Sequence, residues 1–248
     1  MKLSVLIMTF NEEKNIRECL ESVKWADEII VIDSRSTDQT IAIANEYTDK
    51  IYVRDWPGFA EQRNFCLSHA SGDWVFLLDA DERVSDQLRT SILETINSKS
   101  LLNAFDVTRY NEFMGRMLKG YIETHTRLFR NGCVSYTGII HETPLYAGQA
   151  GKLSGRLYHY AYKDLHNYID KLNSYSSLGA KERLNANKIS RLSDLMARPI
   201  LDFIKHYFLK GCYRDGIPGL VFAVTHSFYT FLKYAKLWEQ TNSSVKRA

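Results

Sequence analysis

DWVFLLDADE, residues 73–82, sets five large apolar residues in a row, Trp74 to Leu78, and follows them at once with Asp79, Asp81 and Glu82. An apolar run without polar alternation suits a strand covered on both faces, and such strands belong to parallel sheets with helices above and below. Two runs upstream share this character: Leu3–Thr9 (LSVLIMT) and the β-branched Glu28–Asp33 (EIIVID). Between them Ile16, Leu20 and Val23 recur at helical spacing, with Asn11 placed to cap the helix. Thr40–Tyr47, Lys50–Val53 and Phe59–Ala70 continue the alternation as helix, strand and helix. Strand and helix alternating in this way predict an α/β chain built on a doubly wound, mostly parallel sheet.

Beyond Glu82 the pattern changes. Ser85 can cap a helix carrying Leu88, Ile92, Leu93 and Ile96. From Ala104 to about Tyr160 the chain reads as shorter β-like pieces (Phe105–Arg109, Arg127–Phe129, Val134–Tyr136) separated by turns at Gly115, Gly120, Gly132 and Gly138. Asp164 opens a long helical region running to about Asn187, and Pro199–Trp238 is dense in aromatic residues with Lys and Arg interleaved. The expected division is therefore 1–160 for the sheet domain and 161–248 for a helical region.

Composition bounds the function. The 248 residues are 45% hydrophobic and 25% charged, ordinary for a folded chain, which excludes a disordered or collagenous one. A formal net charge of +3 gives no general basic field, so nucleic acid is not the expected partner. Cys19, Cys66, Cys133 and Cys212 form no CxxC pair, which argues against a zinc site or a disulfide framework and for a reducing compartment. The N-terminal apolar run is only strand-length and runs into acidic residues, unlike a signal peptide. No stretch approaches the roughly 20 apolar residues of a membrane span, and the nearest, Ile217–Leu232, contains His226.

In an open parallel sheet, ligands bind beyond the carboxyl ends of the strands. Those ends should gather Thr9, Asn11 and Glu12, then Asp33, Ser34, Ser36 and Asp38, then Asp79, Asp81 and Glu82. Three acids within four positions repel one another unless a cation or an acceptor proton stands between them. Carboxylates on a tight turn, with water and phosphate completing the shell, are the usual way to hold Mg²⁺ or Mn²⁺. The bland alternative makes Asp79 a turn or cap residue. A metal-dependent phosphohydrolase using Asp79 and Asp81 is a second reading, although Arg83 stands where such enzymes carry Thr or Val. A non-catalytic membrane-peripheral adaptor is the third. His69, His125, His159, His166, His206 and His226 show no ligand spacing such as HxxxH and read as structural or surface residues.

SVLIMTFNEE (4–13), WADEI (25–29), EIIVIDSRSTDQT (28–40) and EQRNFCLSHASGDWVFLLDADE (61–82), in this order, resemble the GT-A glycosyltransferases of family 2. The His141-Glu142 pair and the aromatic-basic tail make the chain similar to the subgroup with bacterial lipopolysaccharide-core β-1,4-glucosyltransferases. The resemblance implies a GT-A, Rossmann-like sheet followed by a helical, membrane-associating C-terminal region. It implies a nucleotide-sugar pocket bordered by Thr9, Asn11 and Glu12, with Asp33 facing nucleobase and ribose and Arg63 lining base or diphosphate. Asp81 and Asp79 match the DxD motif and would hold Mg²⁺ or Mn²⁺, with Asp79 contacting ribose or metal. His141 would bind metal or diphosphate, and Glu142 would be the general base, with Glu82 and Glu123 as competitors. The plainer role for Glu142 is an ion pair with Arg127 or Arg130. The implied activity is inverting transfer of a hexose from a nucleotide sugar, UDP-linked, to a glycolipid or lipid-linked saccharide in lipopolysaccharide or other cell-envelope synthesis. Lys205, Lys210, Arg214, Lys233, Lys236, Lys246 and Arg247 among the tail aromatics suit an anionic membrane surface, which places the chain in the cytoplasm, peripheral on the inner face of the cytoplasmic membrane. A helical hairpin packed on the core is the competing reading of that tail.

Overall fold

A computed structural model describes residues 1–138, 143–162 and 164–245. Packing divides the chain into two units: Met1–Tyr110 with Glu123–Ala161, and Asn111–Ile122 with Tyr162–Ala248.

In the first unit, strands β1 (Leu3–Thr9), β2 (Glu28–Asp33), β3 (Ile51–Val53) and β4 (Trp74–Asp79) alternate with helices α1 (Ile16–Glu21), α2 (Thr40–Ala44) and α3 (Phe59–His69). The four strands are parallel, in the order β3-β2-β1-β4. Chain order thus reverses across β1, where a crevice opens at the strand ends. All seven residues of β1 are buried. Leu3, Val5 and Ile7 pack with Trp74, Phe76, Leu78, Ile16 and Leu20 on one face; Leu6 and Met8 pack with Ile30, Ile32, Val75 and Leu77 on the other. This two-sided burial is the cause of the continuous apolar runs.

After β4 come β5 (Glu82–Val84), helix α4 (Asp86–Asn97), β6 (Ala104–Phe113) and β7 (Arg116–Arg130). Ser85 caps α4 by accepting from the Leu88 N–H. Strand β7 pairs antiparallel with β4, and β6 lies beyond it. The remaining strands are β8 (Ser135–Thr137) paired with β9 (Thr143–Leu145), β10 (Gly151–Lys152) along β6, and β11 (Leu157–His159) antiparallel to β5.

Three sequence expectations need correction. The pieces Phe105–Arg109 and Arg127–Phe129 belong to two long strands joined at Met114-Gly115, where both residues have positive φ (52° and 75°) as a two-residue hairpin turn requires. Polar residues along both strands hid their length. Gly120 is no turn but a mid-strand residue of β7: a Cβ there would lie 2.3 Å from the Cys212 amide nitrogen. Asn11 does not cap α1, which starts at Ile16 after Asn15. Its backbone is left-handed (φ 52°), and its carboxamide accepts from the Thr37 N–H instead.

In the second unit, α5 (Leu165–Asn185) is capped by Asp164, which accepts from the Asn167 N–H. Helix α6 (Leu192–Ile204) continues through one π-helical turn, Lys205–Leu209, and a 3₁₀ turn, Cys212–Asp215, leads into α7 (Gly216–Val245). Phe113, Leu118, Tyr168, Cys212 and Phe222 form the core. Asp215 is buried and accepts from the amides of Lys119 and Gly120. No helix among the described residues is long and apolar enough to cross a membrane.

Two results follow from this packing. Gly155 has φ +100° and a Cβ there would lie 2.2 Å from the Leu88 nitrogen. Gly155→Ala should therefore lose more than about 1 kcal/mol in urea unfolding. All four cysteines are free thiols; Cys19, Cys66 and Cys212 are buried, and burial pushes the Cys66 thiol up to about 12. Iodoacetamide should therefore modify the half-buried Cys133 first, read by peptide mass spectrometry, and equal labelling of Cys66 would contradict this burial.

Candidate active site

The sheet register sets three polar side chains level at one edge: Thr9 lies opposite Asp33, and Met8 lies opposite Asp79. Asp33 is fully buried and accepts from the Ser36 backbone N–H at 2.7 Å and from its hydroxyl. The Ser36 hydroxyl oxygen in turn accepts from the Asn11 N–H at 2.8 Å, and the Glu12 N–H donates to Thr40 Oγ1 at 2.8 Å. The Glu12 carboxylate accepts from Asn15 Nδ2. The loops after β1 and β2 are thus laced into one wall. Helix α3 buries Gln62 and Arg63, and Gln62 Nε2 reaches Ser34 Oγ. Thr9 Oγ1 and Gln62 Oε1 are buried with no hydrogen-bond partner among the described residues. Buried polar atoms are normally satisfied, so orphans at a strand-end crevice mark a place for a polar ligand.

Below this wall runs a network of alternating charge. Asp79 Oδ2 accepts from Arg127 at 2.8 Å, and Oδ1 lies 3.3 Å from Arg63. Glu82, fully buried at 0% exposure, accepts from Arg127 (2.9 Å) and Arg109 (3.3 Å) with Oε1, and from the Asp79 N–H (3.0 Å) with Oε2. Arg109 reaches on to Glu123 at 2.6 Å. Burial alone would raise the Asp79 carboxyl, but Arg127 and Arg63 outweigh it and hold the group far below the usual carboxylate range. Burial opposes the charge on Arg127 as well, and Asp79 and Glu82 more than restore it.

This geometry sorts the sequence candidates. Asp79 offers both oxygens to guanidinium groups, which hold it ionised and fixed in place. Glu82, a competing base, has both oxygens engaged in the interior by Arg127, Arg109 and the Asp79 amide. Asp81 faces His159, whose Nε2 stands 3.5 Å from Oδ2, because β11 pairs with β5 next to the acidic turn. A carboxylate beside an imidazole is a donor set that suits Mn²⁺, and Mg²⁺ through the carboxylate. Residues present therefore fit a divalent ion at Asp81. His141 and Glu142 lie outside the described residues, between β8 and β9 in sequence. Arg127 is engaged by Asp79 and Glu82, and Arg130 donates to the Ser100 carbonyl.

The sequence alone gives Arg109 no site role, Arg127 only that of an ion-pair partner for Glu142, and His159 only a structural or surface one. The available signal was an arginine inside a strand whose neighbours, Leu128 and Phe129, are fully buried. Burial of an arginine is rare without a partner acid, so Arg127 next to two buried apolar residues pointed to one.

The comparisons with known proteins follow the same boundaries. The chain is 31% identical over 254 residues to the lipopolysaccharide core biosynthesis glycosyltransferase LpsC of Rhizobium meliloti, spanning 97% of this chain and 93% of that protein. It is 30% identical to an uncharacterized glycosyltransferase of Rickettsia typhi, over 96% of this chain and 87% of that one. Among solved structures, S. aureus TarS with UDP-GlcNAc aligns over 98% of this chain and 92% of its own at 17% identity and a TM-score of 0.47. Glucosyl-3-phosphoglycerate synthase from Mycobacterium tuberculosis aligns at 23% identity and a TM-score of 0.38, covering 45% of this chain and less than half (44%) of that one. The family model described as glycosyl transferase family 2 matches residues 4–149, which takes in β1 to β4, Asp33, the Asp79–Glu82 turn and the arginines beneath it. With that match and the long alignment to LpsC, the chain belongs to glycosyl transferase family 2.

Proposed function

We propose that this glycosyltransferase moves a hexose from a UDP-sugar to a hydroxyl of a glycolipid or lipid-linked saccharide, with inversion, in lipopolysaccharide-type synthesis. The observation that carries the reading is the level edge of Thr9, Asp33 and Asp79 over buried arginines, with Asp81 and His159 beside it. The alignment to LpsC over nearly the whole chain supports the acceptor class. Asp33 and the Thr9–Glu12 loop take the nucleoside. Arg63 lies at the base or diphosphate, and Asp79, locked by Arg63 and Arg127, meets the ribose. Asp81 with His159, and His141, hold Mn²⁺ or Mg²⁺, which when bound offsets charge on the departing diphosphate. Glu142 takes the acceptor proton as the anomeric carbon is attacked. The ordered loops supply alignment before the reaction begins.

Thermal melting with Mn²⁺ and UDP, UDP-Glc, UDP-Gal, UDP-GlcNAc or GDP-Man tests the donor class. A ligand that binds only the native state raises the melting temperature. Stabilisation by UDP compounds that needs Mn²⁺ is expected; none, or a preference for GDP-Man, would count against the UDP assignment. Glu142→Gln should bind UDP normally and lose turnover.

Apolar stripes on the second unit support a membrane-borne acceptor. Helix α6 buries none of its residues, and Leu192, Met196, Ile200 and Ile204 line up along it in exposed positions. On α7 the exposed Ile217, Leu220, Val224, Phe228 and Phe231 recur at helical spacing. Such apolar stripes suit burial in the interfacial layer of a leaflet. The cationic set is smaller than the sequence suggested: Lys236 donates to Asn173, Ser176 and Ser177, and Lys233 packs over Tyr229 and Tyr234. Lys205, Lys210 and Arg214 remain exposed, and Lys246 and Arg247 lie outside the described residues. Full-length protein should float with anionic liposomes, and Ile200→Glu with Phe208→Glu should abolish flotation while the far-ultraviolet circular dichroism stays unchanged. Equal flotation of the variant would remove the membrane from this reading.

A further inference from the structure

Outside the family 2 site, one cluster brings together ligand-type side chains that the sequence left apart. Asp202 and His206 stand four residues apart where α6 passes into the π-helical turn, and His226 comes from the middle of α7. His226 Nδ1 lies 2.7 Å from Asp202 Oδ2, and His206 Nδ1 lies 3.5 Å from Asp202 Oδ1. The two imidazole rings are 4.1 Å apart between centroids. One ligand atom from each of the three residues falls within 4.8 Å of the others.

Around the cluster, Thr230 Oγ1 donates to Asp202 Oδ2 at 3.2 Å, a second contact that fixes the carboxylate. Tyr121, Phe222 and Tyr229 wall the two rings. His206 is 3% exposed, while His226 and Asp202 keep 23% and 16% of their side-chain surface, so the site is closed on the His206 side and open on the other. The π-helical turn is a second sign, since such turns are rare and collect at functional positions.

We propose that Asp202, His206 and His226 form a transition-metal site, of the Zn²⁺ class, that clips α6 to α7. Two imidazoles and one carboxylate are a common three-ligand set for zinc, with water as the fourth ligand. Zinc bonds of about 2.0–2.1 Å put donor atoms within about 3.5 Å of one another, so modest side-chain rotation from the present spacing closes the shell. His206 Nδ1 meets the Asp202 backbone carbonyl at 2.9 Å, which leaves its Nε2 as the ligand atom, while the Asp202 carboxylate faces His226. The turn at Asp81 also sets a carboxylate beside an imidazole, so position in the chain and single-site variants, rather than donor type, separate the two sites. The clip adds a metal tie to a helix that has no fully buried residue and that meets α7 through the Ser227–Pro199 and Thr230–Asp202 hydrogen bonds. The proposal does not depend on the glycosyl-transfer reading.

The test uses untagged full-length protein stripped with a chelator and titrated with Zn²⁺, and separately with Co²⁺ as a visible-absorption probe. One equivalent should bind, with a rise in melting temperature and the d–d bands of four-coordinate cobalt. His226→Gln and Asp202→Asn should each weaken binding at least about tenfold and remove those bands. Asp81→Asn should leave the bands intact, which keeps this site distinct from the proposed diphosphate metal. Circular dichroism confirms that each variant is folded, and the more exposed His226→Gln serves if His206→Gln is not. Absence of binding at one equivalent to wild type, or bands that persist in His226→Gln and Asp202→Asn, overturns the proposal.

Discussion

Arg127→Met should cost about 3–5 kcal/mol of unfolding free energy, because removing one partner from a buried ion network leaves charge uncompensated. Arg127 is nearly inaccessible, and its guanidinium contacts both Asp79 and the fully buried Glu82. Without it, among the described residues Glu82 keeps only the 3.3 Å contact to Arg109 as a cationic partner, and Asp79 only the 3.3 Å contact to Arg63. The loss should shrink when Glu82→Gln is added, since the neutral amide no longer needs the guanidinium. A double-mutant cycle in urea should then show coupling well beyond the roughly 0.5 kcal/mol that marks independent sites. Additive effects would mean the network carries no such energy. The acid limb gives a second reading. Asp79 is held below its ordinary value, so its contribution is complete above about pH 4 and is lost as pH falls further. Arg127→Met should bring acid unfolding to higher pH.

The distribution of what could be read in advance follows from where each signal resides. Strands β1, β2 and β4 are covered on both faces, so their apolar runs mark them in one dimension. Ser85 and Asp164 cap helices through bonds to amides three residues on, again a local matter. The level placement of Thr9, Asp33 and Asp79 needs only parallel order and register. Arg109 and Arg127 are different: Arg127 meets the acids because β7 pairs antiparallel with β4, across about fifty residues of chain, and Arg109 meets Glu82 from β6, the next strand over, and no spacing reveals either contact. His159 reaches Asp81 through the β11–β5 pairing, and Asp202 meets His226 across two helices, for the same reason. Lys236 read as a headgroup cation because nothing local shows that its ammonium is spent on Asn173, Ser176 and Ser177.

Asp81→Asn should separate function from stability more sharply than any other substitution at the rim. The change is isosteric and removes a charge from a half-buried turn residue that takes no part in the Arg63, Arg109 and Arg127 contacts described above, so the melting temperature should move little. Turnover should fall by about 10²–10³-fold or more, the scale for losing one preorganised electrostatic contact to a charge-developing group. Mn²⁺-dependent stabilisation by UDP should vanish in the same variant. Asp79→Asn makes the informative contrast: it withdraws charge from Arg63 and Arg127 and should lower stability and turnover together. If Asp81→Asn kept near-native turnover and an unchanged Mn²⁺ requirement, the cation would have to sit elsewhere, and Asp81 would be a structural turn residue beside His159. If both variants lost stability equally, the two acids would act as one structural unit, and the division of labour drawn here between a locked Asp79 and a metal-facing Asp81 would fail.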